Sequence, residues 1–293
     1  MISRRSLLTG TGALAAYRAP PAAAAQFPKP FRGLYHPPGY PRLDWRHPAT
    51  QFLADAWWLD GSALNVDAGV GGKPLFGFSL LGLPWRTQTG ISFSPAVTQA
   101  GSGCGFNGTS QYIWTTLTAG LGPWKSSPAA ATMLFVGQCN ATSAAVQTFM
   151  SIENHATLSR TASFQITAGA QTLAVDWVHS TATVASGNFL QSPALGKPFA
   201  AALTMNFASS TATCFALGKK SSLTGSGATG NQSDQVAFGT SVANGSIQSE
   251  YFNGVAIFGA AWNAVLSDSV IFGLLADPFQ FLVFPDDDLF FRS

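Results

Sequence analysis

From Cys104 onward, apolar and polar residues alternate in short runs. The runs are Gly105–Trp114, Ala130–Gln138, Thr148–Ile152, Ser163–Thr167, Thr172–Val178, Phe199–Phe207, Thr211–Leu217, Gln235–Gly239 and Val255–Trp262. They are rich in β-branched and aromatic residues and separated by Gly, Ser, Asn or Pro, the pattern of strands joined by turns. An earlier run, Phe52–Asp60, sets Ala54, Ala56 and Trp58 on one side and Asp55, Trp57 and Leu59 on the other. The Gly- and Pro-punctuated stretch from Gly61 to Pro95 reads as loop, with short strands expected near Leu75–Leu81 and Thr89–Phe93. One segment, Leu266–Ala276, has helical spacing; Ser267 or Asp268 would cap it, and Ile271, Leu274 and Leu275 would pack. Short strands without βαβ alternation predict an all-β, two-sheet antiparallel sandwich of the jelly-roll type.

The stretch Ser249–Asp268 organises the rest. Its Phe252-Asn253-Gly254 is expected to turn, and Val255–Trp262 to cross the middle of a sheet. Val255 and Ile257, with Ala201, Leu203 and Met205, supply apolar rows for the space between two sheets. Gly108 and Gly254 are expected at tight turns that need positive φ. Trp262 is expected in the core.

The beginning of the chain differs in character. Residues 27–50 are dense in Pro and aromatics, which forbids a helix or a central strand. They are expected to lie extended across a surface, with Tyr35, Tyr40 and Trp45 as anchors. In residues 1–26, Arg4-Arg5 precede an apolar run and a small-residue stretch, and Ser3–Leu8 resembles a twin-arginine export signal. The same residues suit an Ala- and Pro-rich arm docking on a neighbouring subunit, and both readings stay open. The expected layout is a signal-like or docking arm (1–26), an extended segment (27–50), the sandwich (51–285) and an acidic, aromatic tail (286–293).

Composition narrows the partners. Charged residues make up only 10% of the 293, and the formal net charge is +2, so no strong field exists to steer nucleic acid. No apolar run reaches the roughly 18 residues that a membrane-spanning helix needs. A low-charge surface suits exported β-proteins and subunits that bury area in an assembly. Three cysteines, Cys104, Cys139 and Cys214, cannot all pair within the chain. Buried free thiols are the simplest reading, with one internal disulfide as the alternative.

Several stretches, taken in order, resemble laminin-G-like, concanavalin A-like jelly-roll domains of the kind found in bacteriophage and prophage proteins. Phe106–Tyr112 resembles their opening strand, Lys197–Phe207 with Thr213–Gly218 their central hairpin, and Gln235–Gly239 a short strand ending in Gly. Tyr251–Ser267 resembles the closing segment. Pro41–Asp44 with His47-Pro48 and Ala56–Leu59 resembles the lead-in, and Ala276–Leu282 the tail. The likeness spans residues 40 to 285. It implies a lectin-like sandwich and a place on a virion surface, in the capsid decoration, collar or tail. It also implies calcium at a rim, for which Asp67, Asp176 or Asp234 would serve; solvated loop aspartates are the plainer alternative.

Catalytic patterns are missing from the sequence. Glu153 and Glu250 are the only glutamates, and no E-x-D-x-E strand sets two carboxylates on one face. They would meet only through the accident of folding. No G-x-S-x-G elbow occurs, and His36, His47, His155 and His179 have no metal-type spacing. The expectation is a protein that is not an enzyme and needs no cofactor. Trp57, Trp85, Trp114, Trp124 and Trp177 are candidates for stacking on sugar rings, and Trp85 and Trp124, which follow proline in loops, are preferred; core or subunit contact is the competing role. Two functions follow: a non-enzymatic virion subunit that self-associates or meets other virion subunits through its N-terminal arm, or an exported glycan-binding protein, periplasmic or extracellular. A degenerate glycoside hydrolase is a third.

Overall fold

The computed structural model describes residues 42–59, 78–79, 85–87, 95–99, 101–115, 124, 128–143, 145–154, 159–168, 172–179, 182–188, 192–224, 235–243, 246–247 and 250–283. Two compact units divide the chain, Met1–Phe31 and Arg32–Ser293, and every described residue belongs to the second. The expected arm, the tail, Tyr35, Tyr40 and the strand at Thr89–Phe93 lie outside the described residues.

The strands in chain order are β1 (Arg42–Leu43), β2 (Leu53–Trp58), β3 (Phe78–Ser79), β4 (Trp85–Thr87), β5 (Pro95–Thr98), β6 (Gly101–Asn107), β7 (Ile113–Thr115), β8 (Ala130–Cys139), β9 (Gln147–Asn154) and β10 (Ser159–Ile166). There follow β11 (Leu173–His179), β12 (Ala182–Asn188), β13 (Pro198–Asn206), β14 (Thr211–Ala216), β15 (Lys219–Thr224), β16 (Gln235–Phe238), β17 (Val242–Ala243), β18 (Ser246–Ile247), β19 (Asn253–Trp262) and β20 (Leu282–Val283). The helix α1 spans Asp268–Ala276. One sheet runs β15-β14-β13-β8-β19-β2-β3, with β6 and then β5 joined to the first half of β19. The other runs β12-β11-β10-β9-β16-β7-β4. All pairings of named strands are antiparallel, and the two sheets form the jelly-roll sandwich.

Between the sheets lies a large apolar cluster. The larger sheet sends in Met133, Phe135, Leu203 and Met205; the smaller one sends in Met150, Ile152, Phe164, Val175, Val236 and Phe238. Its centre is aromatic. Phe149 lies 4.8 Å from Phe135, 5.5 Å from Phe252 and edge-on to Phe199 at 5.6 Å, centroid to centroid. Pairs of this geometry add about 0.5–1.5 kcal/mol each beyond the area they bury. All three cysteines are buried free thiols. Burial pushes all three up, Cys139 to about 11, so none ionises readily near neutral pH.

A second cluster covers the outer face of the larger sheet. Leu134, Val136, Ala202, Phe215, Phe258 and Trp262 pack there against Ile271 and Leu274 of α1 and against Phe279 and Phe281. The lead-in residues close it. β1 pairs with β20, Asp44 N–H donates to Phe281 O, His47 pairs with Gln280, and the Trp262 indole donates to Ala49 O. Trp262 is therefore core, as its sequence context suggests. Trp45 is not an anchor: it is 77% exposed, because the turn that carries it is pinned through Asp44 and Thr50. Ser267 stands at the N-cap of α1 but makes no capping hydrogen bond; its hydroxyl pairs with Ser269.

β19 does cross the middle of its sheet, with β8 on one side and β6 followed by β2 on the other. The expected turn at Phe252-Asn253-Gly254 is absent, because Asn253 and Gly254 already pair with Asn107 and Phe106. Gly254 answers to space, not to φ: a Cβ there would sit 2.3 Å from Gln138 O and 2.2 Å from the Phe252 ring. Gly108, by contrast, has φ +74 and does make a turn, capped by Asn107 Oδ1 accepting from Thr109, Ser110 and Gln111. Val255 and Ile257 face the outer cluster and not the intersheet space, since a register irregularity between Ala256 and Phe258 resets the alternation. Gly254→Ala is expected to destabilise the protein by about 2–3 kcal/mol through overpacking against backbone, read as a lowered urea midpoint. A change within experimental error would show that β19 and β8 are not so tightly apposed.

Candidate functional site: the polar face of the smaller sheet

The outer face of the seven-stranded sheet is polar and closed off. Alternation with the apolar residues that point inward sends Ser151 and Glu153 of β9, Ser163 and Gln165 of β10, Gln235 and Ala237 of β16, and Trp114 of β7 to this face. Strand register aligns one row directly: Trp114 opposite Ala237, Ala237 opposite Ser151, Ser151 opposite Ser163. The row is small at its centre and aromatic at its β7 end.

A bulge brings in one more residue. Phe164 pairs with Met150, but Gln165 pairs with Thr148, so Phe149 is the extra residue of β9. Phe149 points into the core, and Thr148 is turned to the polar face beside Gln165. Thr240, Ser241 and Glu250 then reach back to this face. Phe252 N–H donates to Gly239 O at 2.9 Å and ties the ends together, Gly239 turns at φ +90, and β17 pairs with β18 between them.

Hydrogen bonds knit the returning segment to the sheet. Glu250 Oε2 accepts from Thr148 Oγ1 at 2.6 Å, Ser241 Oγ at 3.3 Å and Gln165 Nε2 at 3.4 Å. Thr148 N–H donates to Glu250 O at 2.8 Å. Ser151 Oγ donates to Glu153 Oε1 at 2.5 Å and lies 3.3 Å from Thr240 O. The chain's two glutamates thus reach the same face, with no sequence spacing to announce it. Thr148, Ser151, Glu153, Ser163, Gln165, Gln235, Thr240 and Ser241 are all buried, whereas Glu250 is half-buried. The Ser163 hydroxyl is buried without a hydrogen-bond partner.

Aromatic rings gather around Tyr251, the residue that follows Glu250. Tyr112 and Trp114, two residues apart on the chain, are stacked at 5.2 Å and 22°. Tyr251, next to Glu250, lies 6.3 Å from Tyr112. Tyr112 is buried, and Trp114 and Tyr251 are half-buried. Burial, with Tyr251 nearby, pushes the Tyr112 phenol up to about 12, so it stays protonated through the physiological range.

The tryptophan candidates separate clearly. Trp124 is wholly buried, its indole donating to Trp262 O at 3.1 Å; it is a core residue with no face open to a sugar. Trp57 is also core. Trp85 lies in β4, with its backbone opposite Thr115, and Trp177 lies in β11; their side chains lie outside the described residues. Trp114 is the candidate that reaches the polar face. The i, i+2 spacing of Tyr112 and Trp114 on a strand was its signal. Tyr251, Thr148 and Gln165 carried none, since a bulge and a returning segment place them.

The aspartates considered for calcium are placed only in part. Asp67 and Asp234 lie outside them, Asp176 is placed only by its register opposite Ser163, and no three His, Cys, Asp or Glu gather among the described residues.

No protein-family model matches the chain, and no curated protein matches it. Solved structures do. The binding domain of botulinum neurotoxin serotype G is similar with a TM-score of 0.54 and 10% identity, over 76% of this chain and 50% of that one. Domain 4 of a GH43 extracellular arabinanase from Geobacillus stearothermophilus, in complex with arabinotriose, gives 0.49 and 13%, over 76% and 98%. The CBM40 of Ruminococcus gnavus IT-sialidase gives 0.45 and 15%, over 65% and 97%. At such identities what is shared is the fold. The two sheets and their antiparallel pairing give the class, an antiparallel β-sandwich.

Ser163→Ala is expected to leave stability unchanged or raise it by up to about 1 kcal/mol, since it removes a buried hydroxyl that bonds to nothing. Thr148→Val is expected to cost about 1–3 kcal/mol, since it strips a donor from Glu250. Paired urea titrations read both. The reverse order would mean that the polar face is wired differently.

Proposed function

We propose that this protein binds a carbohydrate at the rim of the smaller sheet's polar face, where Trp114, Glu250 and Tyr251 are half-buried, and carries out no chemistry on it. One observation carries the reading: a stacked Tyr112–Trp114 pair lies near Tyr251, the sequence neighbour of Glu250, whose carboxylate accepts from Thr148, Ser241 and Gln165. An aromatic face fits the C–H face of a sugar ring, and a fixed acceptor fits its hydroxyls. Hydrolysis would need a proton-donating carboxylic acid across an open cleft from a second carboxylate. Here Glu153 is buried and bonded to Ser151, and Glu250 is engaged by three donors. Export through the leader-like Ser3–Leu8 would bring such a protein to extracellular or periplasmic glycans.

The test is calorimetric titration of the full chain with arabinotriose and with lactose, alongside product analysis after long incubation. Binding without cleavage is expected, and Trp114→Ala should weaken it at least tenfold, in keeping with the loss of about 2 kcal/mol on truncating an anchoring aromatic. Absence of binding to any glycan on an array, or release of shorter sugars, would overturn the reading.

A second reading is favoured by the surface. Trp45 at 77% exposure and Phe52 at 58%, the latter held at φ +62, are large apolar groups left in water at the lead-in. Burial of such groups against another copy or another subunit is what a virion surface subunit would require. Light scattering at high micromolar concentration, with Trp45→Ala as control, tests it. Self-association lost in the variant is expected on this reading; a monomer throughout counts against self-assembly.

A further inference from the structure

We infer that the site recognises a single sugar ring, docked on one face of Trp114, and that Tyr112 is the positioning residue that fixes this face; this rests on the carbohydrate reading above. Tyr112 and Trp114 lie two residues apart at the start of β7, so strand alternation carries both to one side of the sheet. Their rings are stacked, with centroids 5.2 Å apart and planes 22° from parallel. Rings laid one on the other present the area of one ring, whereas rings side by side would present two. Tyr112 is the inner member, at 1% exposure, and Trp114 the outer, half-buried. With Tyr112 against one face of the indole, Trp114 offers a ligand its opposite face and its edges.

The platform is short. Tyr251, 6.3 Å from Tyr112, is tilted by 37° and does not continue its plane. The cross-strand row that holds Trp114 runs from Arg86 through Trp114, Ala237, Ser151 and Ser163 to Asp176, with no second aromatic residue in it. Register places Trp85 opposite Thr115 and Trp177 opposite the core residue Ala162, so neither tryptophan shares that row. Ala237, Ser151 and Ser163 are wholly buried, so in their direction the accessible part of the row ends at Trp114. Each further ring of a bound chain needs an aromatic face of its own to add stacking energy. The platform is also fixed in advance. Ile113 pairs with Phe238, Gln111 N–H donates to Asn107 Oδ1 at 3.2 Å, and Gln111 O stands so near Gly239 that a Cβ there would lie 2.9 Å from it. Tyr112, held between these neighbours, backs Trp114 before any ligand arrives, which lowers the entropy lost on binding.

Chain length isolates the ring count. The full chain is applied to a glycan array that includes cello- and arabino-oligosaccharides from the monosaccharide to the hexasaccharide. The glycans that bind are expected to share one sugar unit, and within a series the signal should level off by the disaccharide. A rise of about tenfold or more from disaccharide to hexasaccharide, the gain from further stacked rings, would overturn the inference while leaving a carbohydrate site in place. So would binding that requires a defined run of three or more units. No signal from any glycan would instead sink the carbohydrate reading itself. Two variants on the same array test Tyr112, with urea titration to show that each is folded. Tyr112→Phe keeps the backing ring and is expected to bind as the parent does. Tyr112→Leu keeps an apolar filling without a flat ring and is expected to bind about tenfold more weakly. Undiminished binding by folded Tyr112→Leu, or a tenfold loss in folded Tyr112→Phe, would remove the Tyr112 ring from the role. The length series needs no variant and stands whether or not Tyr112→Leu folds.

Discussion

Everything in this sandwich leans on the packing of β19. The strand pairs with β8 along one edge and with β6 and β2 along the other, and it is buried on both faces from Gly254 to Trp262. A strand so enclosed has no solvent face on which to place bulk. Its neighbours press backbone oxygens and aromatic rings to within van der Waals contact of the main chain at Gly254 and Gly259. Small residues there let the aromatic cluster between the sheets and the Trp262 cluster outside them exist together. The lead-in and α1 then serve as the cover that an apolar outer face demands.

The smaller sheet solves the opposite problem. Its inner face is apolar, but its outer face holds hydroxyls, amides and glutamates that are also shut away from water. Burying such groups is costly unless each finds a partner. The returning segment from Gly239 to Phe252 supplies partners: the Glu250 side chain, the Thr240 carbonyl and the Ser241 hydroxyl. The bulge at Phe149 lets one strand serve both needs, giving an aromatic ring to the core and a threonine to the polar face. A polar network beside a stacked aromatic pair is an unusual expense for mere stability, and it is why the carbohydrate reading attaches to this face.

Much of the fold was legible in advance. The strands at Ala130–Cys139, Gln147–Asn154, Leu173–His179, Pro198–Asn206 and Thr211–Ala216, the central place of Val255–Trp262, the helix near Leu266, the free buried cysteines and the core role of Trp262 all follow from local pattern. The misreadings share a cause. Asn253-Gly254 has the composition of a turn but lies in a strand, because glycine marks close approach as readily as positive φ. Val255 and Ile257 changed faces at a register irregularity. Trp124 looked like a loop platform and proved to be core, and Trp45 looked like an anchor and stands in water. The two glutamates, remote in sequence, share one face because a segment folds back.

The chain's own order of residues determined which stretches are strands and that the strands are antiparallel and stacked in two layers. Those properties depend on periodicity over a few residues, which each stretch carries within itself. Tertiary structure alone decided which face each side chain occupies, that Trp114 borders the polar site and how Glu250 comes to meet Thr148 and Gln165. Side-chain direction in a strand inverts with every single-residue shift, so one bulge or one returning loop, set by contacts a hundred residues away, settles what the local pattern leaves open.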